Sequence, residues 1–288
     1  MPDAAREFTV LGDDGVALSG EESGGAGPVV LLHGLTATRR YVVMGSTALQ
    51  RAGHRVISYD ARGHGRSAPA ADSGDYGYER LTQDLASVLD DRGVERALLA
   101  GASMGAHTAV RYALEHPEGV AALAIITPAF DPATHDDDTD FARWDRLARG
   151  LRAGGVEGFV SAYELDNVPE TFRATIATVL RQRLSAHEHP DAVADALEVV
   201  PRSRPFEDFA QLAAIAVPTL VVASRDEADP GHPLAVGERY ASAIPGAELI
   251  VEDAGAGGVD GHPISSPIAW QGGQLSRAIG ELASRSRA

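Results

Sequence analysis

Cysteine is absent from this chain of 288 residues, which excludes disulfides, thiolate-bound metals and a cysteine nucleophile. Lysine is absent as well: all 25 basic residues are arginine, so a lysine Schiff base is excluded. Basic charge is scarce against 41 acidic residues, and the net charge of −16 disfavours nucleic acid, whose phosphates need a basic surface. The same field opposes anionic membranes and strongly anionic substrates at long range. No apolar run approaches the length of a membrane span. The start, Met1-Pro2-Asp3-Ala4-Ala5-Arg6-Glu7-Phe8, has neither the basic flank nor the apolar stretch of a secretory signal. A cytoplasmic protein with a small-molecule partner, and neither nucleic acid nor membrane, is the expectation. The sequence carries no signal for an oligomeric state.

What is present is a sizeable apolar content, 44% of the chain, ordinary for a protein with a large buried core. Phe8-Thr9-Val10 and Val16-Ala17-Leu18-Ser19 flank Gly12-Asp13-Asp14-Gly15 and read as a β-hairpin. Short apolar runs then alternate with helical stretches: residues 29–32, 55–59, 97–100, 122–126, 219–222 and 248–251. Runs apolar on both faces and separated by helices argue for a mostly parallel sheet covered on both sides. Between residues 131 and 212 the strand signal gives way to apolar stripes at helical spacing, such as Phe141, Trp144, Leu147 and Leu151. This segment is expected to be a helical cap inserted into a core of residues 1–130 and 213–288. The acidic run Asp136-Asp137-Asp138-Thr139-Asp140 reads as a solvated loop entering a helix, since it lacks the spaced glycine and distal glutamate of a calcium loop.

Gly101-Ala102-Ser103-Met104-Gly105 carries the strongest chemical signal. A strand-length apolar run precedes it and an alanine-rich helical run follows. A G-x-S-x-G on such a strand-to-helix turn exposes the serine oxygen at the end of the sheet, beside backbone N–H groups. Gly101 and Gly105 sit where a side chain would crowd the turn.

Three motifs in this order resemble the α/β-hydrolase superfamily: His33-Gly34 after a strand, Asp60-Ala61-Arg62-Gly63-His64-Gly65-Arg66-Ser67, and the serine turn. The middle motif resembles the D-x-R-G-x-G-x-S segment of the superfamily's esterases, lactonases and haloperoxidase-like members, where it shapes a loop. His64 is accordingly read as structural. The resemblance implies an eight-stranded, mostly parallel sheet with the inserted cap and a serine–histidine–acid mechanism on a carboxylic ester, thioester or lactone. It implies an oxyanion hole from the N–H groups of Leu35 and Met104, and no metal or organic cofactor. A serine C–C bond hydrolase or a lyase would share every one of these motifs, and a non-catalytic binding homologue is the reading from another class. Arg39 and Arg40, soon after the oxyanion loop, read as surface charges with a substrate carboxylate as the other use.

Chain order in this fold runs serine, acid, histidine. His232 and His262 are the histidines late enough; His262, after the last strand, is where the resemblance places the base. His232, in Asp229-Pro230-Gly231-His232-Pro233 at the entry to a helix, is the other candidate. For the acid, counting forward from Leu220 reaches Asp226 or Glu227, whereas counting back from Ile244-Pro245-Gly246 reaches Asp229. Asp229 is favoured because the downstream helix fixes register, with Asp226 as the alternative.

Overall fold

The expected hairpin and apolar runs assemble into one eight-stranded sheet in the computed structural model, which describes residues 5–224, 231–252 and 272–286. The strands are β1 (Arg6–Leu11), β2 (Ala17–Ser23), β3 (Ala26–Leu32), β4 (His54–Tyr59), β5 (Ala97–Ala102), β6 (Val120–Ile126), β7 (Thr219–Ser224) and β8 (Glu248–Glu252), in the spatial order β1-β2-β4-β3-β5-β6-β7-β8. β1 and β2 pair antiparallel, as do β2 and β4, and the remaining neighbours are parallel.

Alternation along each strand builds two cores. Val30, Leu32, Leu99, Leu123 and Ile125 face one side. Val29, Leu31, Leu98, Ala100, Ala122 and Ala124 face the other. Both sets are buried because helices cover both faces, which is why the strands read as continuous apolar runs. On the first side lie α2 (Tyr78–Asp91), α3 (Met104–Glu115) and α7 (Leu234–Ala243), which contribute Leu85, Ala109 and Tyr240. On the second, α1 (Ala48–Arg51) and α8 (Gly272–Arg285) contribute Leu49 and Leu275.

Residues between β6 and β7 form α4 (Asp138–Ala162), α5 (Glu170–Leu184) and α6 (Pro190–Val199). Asp137 of the acidic run accepts a hydrogen bond from the Thr139 N–H and caps α4, the ordinary use of an aspartate before a helix. Gly155, at φ 58°, kinks α4. Leu147, Leu151, Phe159, Ile176, Leu180, Val193 and Leu197 from the three helices form a separate apolar cluster. The arginines of this insertion instead face carboxylates at the surface: Arg146 with Glu164, Arg152 with Asp195 and Glu198, Arg181 with Glu157, Arg202 with Asp145. Among the described residues no helix is long and apolar enough to cross a membrane.

The chain runs from β3 to β4 on one side, then returns to place β5 on the other side of β3. That reversal opens a crevice beyond the carboxyl ends of β3 and β5, where ligands bind in sheets of this type.

Candidate active site

The crevice is where the two glycine-bearing loops meet. Ser103 ends β5 at φ 51° and ψ −114°, a backbone conformation that L residues rarely hold. The turn is tight enough that a Cβ on Gly101 would run into the Gly105 backbone, and one on Gly105 into Leu32 of β3. Ser103 N–H donates to the Ile126 carbonyl at 2.9 Å, tying the turn to β6. Met104 opens α3, where backbone N–H groups lack an intrahelical acceptor.

His33 is buried and organises the neighbouring loop. Its Nδ1 donates to the Gly34 carbonyl at 2.8 Å, and its Nε2 accepts from Ala61 N–H at 2.9 Å. Burial lowers its pKa below the ordinary 6.5, so the neutral tautomer with Nδ1–H fits both bonds. Gly34 lies so close to the Ala102 carbonyl and Ser103 Cβ that an added Cβ would sit 3.2 and 3.3 Å from them. Leu35, next in the chain, lines the cavity above Ser103.

Asp60 and the arginine-glycine segment after it serve as scaffold. Arg39 is mostly buried, its backbone N–H donating to Asp60 Oδ1 at 2.8 Å and its guanidinium to Oδ2 at 2.5 Å. It is therefore neither a surface charge nor placed to read a substrate; Arg40 is exposed and packs beside Gly45. Arg62 is fully buried and binds Asp84 through two hydrogen bonds of 2.8 and 2.7 Å, with Asp14 as a further partner at 2.8 Å. His64, also buried, donates from Nδ1 to the Arg62 carbonyl, and burial holds its pKa well below 6.5. Neither Arg62 nor His64 lines the cavity at Ser103.

Two further histidines hold the loops in place and stand outside the three sequence motifs. His107, one helical turn after Ser103, accepts at Nε2 from Ala129 and Phe130 N–H groups at 3.1 Å each, and pairs through Nδ1 with the Tyr78 hydroxyl at 2.8 Å. Burial pushes its pKa down to about 3. His187, between α5 and α6, accepts from Gly65 N–H at 2.8 Å and donates to the Thr36 carbonyl at 3.0 Å. It thereby pins the insertion to the loop after β3. The G-x-S-x-G-A-H spacing is a signal for His107; His187 has none, because its partners lie 122 and 151 residues away.

The imidazole that the structure places on the serine belongs to His232, whose Nε2 is 2.9 Å from Ser103 Oγ. His262, Asp226, Glu227 and Asp229 lie outside the described residues. Chain order makes His232 the second candidate for the base, and tertiary placement brings it to the serine. Among the described residues no group of three His, Cys, Asp or Glu side chains is arranged to hold a metal ion.

Above Ser103 the sheet edge and the helical insertion line a cavity of about 240 Å³, and Ser103 also lines another of about 150 Å³. Four non-glycine residues have positive φ among those described: Thr36, Met44, Ser103 and Thr127. All four line the larger cavity. Backbone strain of this kind collects where a loop must present groups to a ligand.

Comparison with known proteins agrees with this geometry. The family model for the alpha/beta hydrolase fold matches residues 27–263. The candidate carbamate hydrolase RutD of Variovorax paradoxus is 32% identical over 202 residues, 69% of this chain and 74% of that protein. The 2-hydroxy-6-oxononadienedioate/2-hydroxy-6-oxononatrienedioate hydrolase 2 of Pseudomonas putida is 31% identical, covering 79% and 80%. The enol-lactonase of Burkholderia xenovorans superposes with a TM-score of 0.67 at 25% identity over 85% of this chain and 91% of that one. With a serine turn at the crevice of an eight-stranded sheet and the family model matching most of its length, the chain belongs to the alpha/beta hydrolase fold family.

Proposed function

We propose that the protein is a serine hydrolase that cleaves a carboxylic ester, thioester or lactone through an acyl-enzyme. The observation that carries this reading is the 2.9 Å contact between His232 Nε2 and Ser103 Oγ beside a cavity lined by both residues. With its proton on Nδ1, the His232 imidazole accepts the serine proton at Nε2 as Oγ attacks the substrate carbonyl. The oxyanion faces the N–H groups of Leu35 and Met104, each such donor typically worth about 10²–10³ in rate. The imidazolium then protonates the leaving group, and water, deprotonated by the same imidazole, releases the acid and frees Ser103.

Asp229 and Asp226 stand three and six positions before His232 in the chain, and Asp229 is our assignment for the carboxylate that orients the base. His262, which chain order alone puts first, is the alternative base, and the helical insertion is assigned the role of a cap over residues 131–212. Metal and organic cofactors have no part in this proposal.

A C–C bond hydrolase on the same machinery is the alternative reading, favoured by the likeness to the Pseudomonas putida protein, whose name assigns it such a dienedioate substrate. The test is labelling with a fluorophosphonate followed by peptide mapping, together with turnover of short p-nitrophenyl esters. Label on Ser103, and a loss of roughly 10⁴–10⁶ in kcat for a folded Ser103→Ala protein, support the proposal. Label on another serine, or near-full activity in the variant, defeats it. Cleavage of a vinylogous diketone in preference to every ester moves the assignment to C–C hydrolysis.

A further inference from the structure

The two cavities that Ser103 lines are chemically different. The larger is walled mostly by apolar side chains of the insertion, among them Leu147, Phe159, Ile176 and Leu180, with Glu164 and Arg183 among its charged members. The smaller is lined by Tyr78, His107, Asp131, Thr134, His135 and Ser203. Arg143 and Trp144 line both, so they form the divide, with the guanidinium carbon 5.0 Å from the indole centroid.

Arg143 differs from five other arginines of the insertion in having no close described carboxylate. Arg146, Arg152, Arg181, Arg202 and Arg204 of the same insertion each have a carboxylate oxygen within 2.8 Å. For Arg143 the nearest described carboxylate, on Asp140, is 3.9 Å away. Its buried Nε has no hydrogen-bond partner among the described residues. A guanidinium whose buried Nε is unmatched among the described residues, stacked on an indole at a partly polar cavity, suits an oxygen acceptor on a ligand. Asp131 does not compete for it, since its carboxylate is paired with Arg239 and with Ala133 N–H.

The position of the base orients a substrate between the two lobes. In acyl transfer the imidazole must reach the departing oxygen. His232 lines the larger cavity but not the smaller, so the leaving group belongs in the larger one and the acyl group in the smaller. Resting on the serine-hydrolase reading, we propose that the substrate is an ester joining a long apolar alcohol to a short acyl group that carries an oxygen acceptor, an oxo or carboxylate oxygen, bound by Arg143.

Two isomers test the orientation. Octyl acetate is expected to exceed ethyl octanoate in kcat/KM by about tenfold or more; the reverse order overturns the assignment of lobes. Octyl 4-oxopentanoate and mono-octyl succinate, each against octyl pentanoate, test the acceptor. Either is expected to be preferred by about ten- to a hundredfold, the range for one hydrogen bond to a charged group. Preference for the oxo ester alone assigns a neutral acceptor, and for the succinate alone an anionic one. In Arg143→Leu, and to a lesser degree in Arg143→Lys, the preference should shrink towards parity, with thermal melts confirming that both variants fold. An unchanged preference in Arg143→Leu overturns the role of Arg143, and no preference in the parent protein overturns the substrate class.

Binding separates this inference from the hydrolase reading. In Ser103→Ala carrying Trp270→Phe, Trp144 is the sole indole, and its fluorescence reports occupancy of either lobe. Tighter binding of the oxo ester or the succinate than of octyl pentanoate, abolished by Arg143→Leu, upholds the substrate class even if neither octyl acetate nor ethyl octanoate is turned over. Equal binding of all three sinks it, even if esters are hydrolysed.

Discussion

The loops at the sheet edge and the helices folded above them are held by opposite kinds of interaction. At the edge, buried polar groups are paired with one another: Arg62 with Asp84 and Asp14, His33 with Gly34 and Ala61, Asp60 with Arg39. In the insertion, polar pairing lies on the outside and the interior is aliphatic and aromatic. A buried charge that loses its partner costs several kcal/mol, whereas an exposed pair contributes little. The edge is thus confined to one geometry, as the proposed nucleophile and oxyanion hole would require. The exposed pairs of the insertion can be exchanged with little change in stability, unlike its buried cluster. The proposed function assigns chemistry to the first region and selection to the second.

Removing the base should break this division most severely. His232→Ala is expected to lower kcat/KM by roughly 10⁴–10⁶, nearly as much as Ser103→Ala, while His262→Ala leaves it within a few-fold. Steady-state kinetics on both variants decides between them, and the opposite pattern returns the base to His262. Asp229→Asn should cost more than Asp226→Asn, because the larger loss marks the carboxylate bonded to the imidazole.

Two arginines sharpen the comparison in stability. Arg62→Ala leaves Asp84 buried without its partner and should destabilise by about 3–5 kcal/mol. Arg152→Ala removes an exposed pair with Asp195 and Glu198 and should cost at most about 1 kcal/mol. Denaturant titration of both variants reads the difference, and equal losses would mean that the two regions are held alike.

Trp144→Ala should act on selection. It is expected to change the ranking of esters by chain length several-fold, with a smaller effect on the shortest ester. Uniform loss across an ester panel, in a variant that still melts cooperatively, would give the insertion a part in the chemistry.

The smallest effect concerns the seam between the regions. His187 is kept neutral chiefly by burial, its pKa pushed down to about 4 from 6.5. Between those values the unfolded chain takes up a proton that the folded chain does not. This contribution to stability is therefore complete above about pH 6.5 and is lost as pH falls towards 4. His187→Asn should flatten part of that slope, by a few degrees in Tm between about pH 7 and pH 4.5. An identical slope in the variant would remove His187 from the seam.

Much of the site was legible because it is local. The serine turn is five consecutive residues, and the clash of a Cβ at Gly101 or Gly105 follows from chain geometry alone. The hairpin, the parallel strands and the apolar stripe through Trp144, Leu147 and Leu151 follow from periodicity in the same way. The burial of Arg39 was not legible, because its partner Asp60 lies 21 residues on and nothing local distinguishes a buried arginine from an exposed one. The base was legible as a pair of candidates, His232 and His262, separated by chain order.

The sequence by itself determined which serine sits on the strand-to-helix turn and on what fold, since periodicity and steric closure act between near neighbours. The tertiary structure alone decided which imidazole stands 129 residues along the chain from Ser103 yet 2.9 Å from its oxygen. It also decided that Arg143 and Trp144 divide two unlike cavities. Those placements depend on how β7 and the helical insertion pack across the crevice, and packing between distant segments leaves no periodic trace in the chain.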